Sequence, residues 1–342
     1  MKNEKMMVNE RLNTQQKAAI KLMQNDLRFI YTMIVNKDRF KSNYIVSSMP
    51  YIGIIIDGVE DWLKAYNNSC NVPIACPSFT KEEENYYEEM RGAIKIWDDS
   101  YLSIKQKLEY LYQESDNYFS NVCKPIAKEL KLYDIFGADL VDNQYCGNTI
   151  LCSYYIPQYK YSIDSGEKIK KLSEIGGKYI VFFEAATAYN VNQEMDFIYK
   201  DYGGFVKSPI GNQFSDKFVL FSLLCQIQFI LYCIEKFILD ECSTKLRFAY
   251  LQYYYVAKIL PELNNILNTS FYVDCTYVSD LFRNSMAHYK VGVALKPSEI
   301  NSEDLLFGLT QKFFNCNYLT LKKTILENLT FLAQQFKQYL GI

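Results

Sequence analysis

The segment DLFRNSMAHYKVG, residues 280 to 292, holds the only histidine in a chain of 342 residues. His288 follows Arg283 by five positions, and Asn284 stands directly after the arginine. An imidazole, with a reference pKa of roughly 6.5, accepts or donates a proton near neutrality. A guanidinium stays charged and grips phosphate oxygens through two parallel N–H donors. An asparagine beside them can orient the imidazole or donate to an anion. The set points to proton transfer at an anionic centre. The chain carries 31 Lys and six Arg, so an arginine kept against that bias is read as needed for its geometry.

These side chains need a helix to place them, and residues 275 to 289 have the pattern of one. Val278, Leu281, Phe282 and Ser285 are spaced for one buried face. Asp280, Asn284 and His288, at i, i+4 and i+8, form a polar stripe on another. Arg283 lies about 100° round the axis from Asn284. The small residues Ser285 and Ala287 leave room for close approach by a backbone or a ligand, and Gly292 soon permits a turn. Three further helical segments flank this one, at 214 to 241, 244 to 267 and 317 to 340. The first is apolar nearly all round and should be central. Pro261 should kink or end the second near Leu260. The four together read as a helical bundle.

Arg283, Asn284 and His288, on the third of four helical segments, resemble the R-x4-6-H motif of the HEPN superfamily. These are helical-bundle proteins that include many metal-independent ribonucleases. The resemblance covers about residues 214–342. It implies catalytic roles for Arg283 and His288, with Asn284 as the polar residue that often follows the arginine. RNA carries its own nucleophile, the 2'-OH. Cleavage needs a base for that proton, an acid for the 5'-oxygen and a cation for the phosphorane charge, which His and Arg supply without metal or cofactor. One histidine does not serve as acid and base at once, so the resemblance implies a homodimer with a composite site at its two-fold interface. It implies RNA as substrate, a regulatory protein or antitoxin as partner, and a place in phage defence or as a toxin. Glu235, Asp280 and Tyr289 are candidate supporting residues. In the toxin subgroup whose motif continues His-x-Tyr, the tyrosine stands two positions after the histidine; here Tyr289 is adjacent, so that subgroup's tyrosine modification is not inferred. The other class of function is a non-catalytic HEPN module for dimerisation or RNA binding.

Composition bounds these expectations. Hydrophobic content of 49% with 22% charged residues is globular, and few Pro and Gly favour helices. A net charge of -2 gives no basic excess, unlike a chain that wraps nucleic acid. From Phe214 onward 12 Lys/Arg face 11 Asp/Glu. Tyr250, Tyr253, Tyr254 and Tyr255, near Arg247 and Lys258, could stack bases, but core packing is the expected role in a chain with 30 Tyr. FVLFSLLCQIQFILYCI, residues 218 to 234, reads as a buried core helix and not a membrane span. MKNEKMMVNERLN lacks an apolar h-region, so a cytoplasmic chain is expected, with ten reduced Cys. The pairs Cys70/Cys76 and Cys146/Cys152 have wide spacing for zinc, and no carboxylate–histidine metal site is evident.

The expected fold is mainly α. A HEPN-like bundle over 213–342 follows an N-terminal region, 1–212, with a sensing or regulatory role. That region should hold helices over 10 to 36 and 44 to 67. A T-x-x-E capping box at Thr80 and Glu83 should open a long helical run to Tyr112. A small α+β portion is expected, with strands around 145–185 from NTILCSYYI and KYIVFFEAA, and a linker near 200 to 213.

Overall fold

The computed structural model describes residues 12–40, 43–69, 73–156, 165–204, 206–211 and 213–342. Its first helix, α1 (Thr14–Val35), begins where Asn13 and Gln16 form a reciprocal capping box. Met23, Leu27, Ile30 and Met33 form its buried stripe. Helix α2 (Tyr44–Ser69), expected over 44 to 67, contains YIGIIIDG and is buried from Val46 to Val59. Thr80 and Glu83 make the expected box at the start of α3 (Lys81–Ala93). The run does not continue to Tyr112 unbroken. It tightens into a 3-10 turn over Ile94–Asp98, and Ser100 caps a new helix, α4 (Tyr101–Val122). Ile94, Ile96 and Trp97 are all buried there.

After α5 (Pro125–Glu129) come β1 (Asp134–Val141) and β2 (Gln144–Asn148), then α6 (Thr149–Tyr155) and α7 (Ser165–Phe182). Strand β3 (Phe197–Gly203) completes an antiparallel sheet of order β2-β1-β3. The β1–β2 link is Asp142-Asn143, both at positive φ (49° and 60°), a two-residue hairpin in which short polar side chains tolerate the left-handed region. The strand expectation was misplaced. Asn148 caps a helix, so NTILCSYYI is helical from Thr149, and KYIVFF closes α7. Gly176 and Gly177 lie inside α7, where a Cβ on Gly176 would stand 3.2 Å from Ile30. Helix packing overrides β-propensity in both segments.

Helix α8 (Asp216–Gln228) opens into a π-helical stretch over Phe229–Lys236. Asp216–Lys236 is long and apolar enough to cross a membrane by length and composition, and 83% of its apolar window is buried inside the fold. Its glutamines are paired: Gln226 meets Trp97 and Tyr155, and Gln228 donates to Gln144 at 3.0 Å. Helix α9 (Ser243–Leu267) runs through Pro261 instead of ending at Leu260; the proline occupies an exposed position. Then follow α10 (Asp280–His288), α11 (Val291–Ala294), α12 (Leu309–Phe314) and α13 (Tyr318–Leu340). The fold is mainly α with one small three-stranded sheet. One core cluster runs from Ala18 to Leu340, so buried side chains pack together across residue 212.

Candidate functional site

The motif helix α10 is fixed at both ends. At its start Ser279 accepts from the Phe282 amide at 3.3 Å, and the Tyr254 hydroxyl donates to Asp280 at 2.6 Å. Phe282, Ser285 and Met286 are buried, and so is Tyr289 just past the helix. Each fully buried large apolar side chain contributes about 1.5–3 kcal/mol, so Phe282 and Met286 set the helix rotation. Leu281, expected on the same face, is 70% exposed. The inward stripe is 282, 285, 286 and 289, which turns residue 281 outward.

The far end of α10 is held by a buried polar network. Tyr289 takes the left-handed conformation (φ 50°) that terminates the helix, and its hydroxyl donates to Asp26 at 2.6 Å. Arg247 lies 4.3 Å over the Tyr289 ring, ion-pairs with Asp26 and donates from Nε to the Met286 carbonyl at 2.9 Å. Thr244 also donates to Asp26, at 2.7 Å. A helix-end carbonyl that would lack a partner thus receives a charged donor. Tyr289 and Arg247 are committed to this network, and Tyr250, Tyr253, Tyr254 and Tyr255 are buried in the core.

His288, half-buried at the last position of α10, faces α2. Its Nδ1 is 3.2 Å from an Asp61 carboxylate oxygen and 3.9 Å from Asp57 Oδ2. The Arg91 guanidinium donates to the other Asp57 oxygen, Oδ1, at 2.6 Å. Burial pulls the imidazole pKa below its ordinary value; Asp57 and Asp61 oppose this, while Arg91 and Lys290 add to it. Burial likewise raises the Asp57 carboxyl; the Arg91 contact offsets part of that rise, and Asp61 adds to it. The helices approach closely because residue 58 is glycine. A Cβ there would lie 2.8 Å from the Ala287 carbonyl oxygen and 2.9 Å from the Tyr289 ring. It is the Ala287 backbone carbonyl that meets α2 here.

Arg283 is turned elsewhere. Five residues separate it from His288, which places the two about 140° apart round a helix. Its guanidinium lies 5.1 Å from the Tyr254 ring and 5.9 Å from the Tyr255 ring. Its buried Nε–H has no hydrogen-bond partner among the described residues. Asn284 is half-buried on the same helix. Glu235 is taken up by Lys322 at 2.8 Å and Lys245 at 3.6 Å, away from α10. Asp280 accepts from Tyr254 beside Arg283.

Asp57, Asp61 and Arg91 were missed in the sequence, although Asp57 carried a signal. A carboxylate inside IIIDGVEDW, with a second one four residues on, marks a charge that a helix buries and that needs a partner. Among the described residues these two carboxylates and His288 form a group whose potential ligand atoms lie within 4.8 Å of one another, against the expectation of no carboxylate–histidine cluster. Cys146 and Cys152 are buried thiols: Cys146 donates to the Gln228 carbonyl at 3.6 Å, and Cys152 lies 3.4 Å from the Ser47 hydroxyl. Cys70 lies outside the described residues. No protein-family model, curated protein or solved structure matches the chain.

Proposed function

We propose that this chain is a metal-independent endoribonuclease of the HEPN kind, working as a homodimer. His288 transfers protons and Arg283 holds the phosphorane charge. The observation that carries the reading is the contact between His288 Nδ1 and Asp61, 3.2 Å. A carboxylate at Nδ1 fixes the proton there and leaves the Nε2 lone pair to act as a base toward a 2'-OH. Burial lowers the imidazole pKa, which favours the neutral form that acts as a base. The Arg283 guanidinium, half-buried beside the Tyr254 and Tyr255 rings, supplies the cation for a phosphate oxygen. The wide angle between Arg283 and His288 supports a composite site, in which each protomer's arginine works with the other's histidine.

The test is cleavage of a defined RNA with EDTA present. Products should carry 2',3'-cyclic phosphate and 5'-OH ends. Cleavage that depends strictly on added Mg2+, or equal cleavage of an all-deoxy strand, contradicts the mechanism.

A non-catalytic HEPN module for dimerisation or RNA binding is the second reading, favoured by the balance of 12 Lys/Arg against 11 Asp/Glu after residue 213. It expects RNA retention or dimerisation without cleaved product.

A further inference from the structure

We propose that Asp57, Asp61 and His288 form a binding site for a divalent transition-metal ion of the Mn2+ or Zn2+ type. The three donors come from two helices that are more than 200 residues apart in sequence. Their distances of 3.2 Å and 3.9 Å from Nδ1 suit oxygens and a nitrogen sharing one ion, since metal–ligand bonds of roughly 2.0–2.2 Å set neighbouring donors about 3 Å apart. One imidazole with two carboxylates favours a transition ion over Mg2+ or Ca2+, which prefer oxygen alone. The set is preorganised. Arg91 holds Asp57 through Oδ1 and leaves Oδ2 toward the imidazole, as an outer partner orients a ligating carboxylate. Gly58 against the Ala287 carbonyl fixes the helix spacing. The Asp61 side chain is 53% exposed, which leaves an entry path and room for waters on the ion.

The site has a consequence that rests on the nuclease reading. An ion on Nδ1 displaces the proton to Nε2, and the base is lost. Cation binding and proton transfer by His288 then exclude each other, so the cation is an inhibitor and not a cofactor.

The lone histidine makes a direct test possible. Untagged protein labelled with 15N-histidine carries one labelled imidazole, read by its Nδ1 signal, and Mn2+ is the probe because it avoids the ten thiols. Mn2+ should broaden that signal with a one-site titration. Asp61→Asn, at an exposed position, should keep the thermal midpoint and weaken the titration by at least about tenfold; Arg91→Gln should weaken it by about 10–100-fold. No broadening at millimolar Mn2+, or an unchanged titration in Asp61→Asn, overturns the site. This readout needs no RNA, so the metal site and the nuclease reading can fail separately. Full RNA cleavage at saturating Mn2+ overturns the exclusion.

Discussion

Arg283 and His288 are held by different means, and their substitutions should differ accordingly. The arginine's guanidinium rests near two tyrosine rings with its Nε–H free of a partner. Lysine at 283 keeps the charge but loses the planar fork that spans two phosphate oxygens. Arg283→Lys should therefore cut RNA cleavage nearly as much as Arg283→Ala, measured as kcat/KM on one substrate. Near-normal cleavage by the lysine variant would show a general positive charge only. The motif residues were legible because they stand close together in sequence. Their partners were not, because Asp57 and Asp61 lie more than 200 positions away and only helix packing brings them to the imidazole.

The pair α2 and α10 is the element that builds the site. Gly58 leaves no space for a side chain beside the Ala287 carbonyl and the Tyr289 ring. Gly58→Ala should push the helices apart and cost about 1–3 kcal/mol in denaturant unfolding, the usual range for overpacking. Cleavage should fall further than stability does, since the His288–Asp61 contact opens. An alanine variant with unchanged stability and activity would remove the close approach from the account. Several helices were legible in the sequence: the capping box of α3 and the terminal α13 stand as read. The strands were not, because Val, Ile, Tyr and Phe runs suit a buried helix as well as a sheet. The Asp142-Asn143 turn was the better signal for the hairpin.

Across the whole molecule, the site draws on both sides of residue 212. His288 comes from the bundle, while Asp57, Asp61 and Arg91 come from the first part. The last helix is tied in as well. Lys322 of α13 lies between Glu235 and Glu241, and the Tyr318 hydroxyl donates to Glu241 at 2.6 Å. Burial alone would raise the Glu241 carboxyl, but Lys322 and Tyr318 outweigh it and hold the pKa below the ordinary value. A depressed carboxylate gives stability that is present above its unfolded pKa, roughly 4.3, and lost as pH falls through its folded value. Lys322→Met should cost about 1–3 kcal/mol at pH 7, less than a fully buried pair because Glu241 is partly exposed. The deficit should shrink in unfolding curves taken below pH 4. A deficit independent of pH would assign Lys322 a packing role only.

Proton transfer by the lone imidazole is the role proposed for His288. It is tested most directly by His288→Ala, assayed on RNA beside the parent protein, with circular dichroism and sedimentation confirming fold and assembly. His288→Ala should lose about 10²–10⁴-fold in cleavage, the range for a removed acid–base group, with fold and dimer intact. A folded, dimeric His288→Ala protein that cleaves RNA at the parent rate would contradict it.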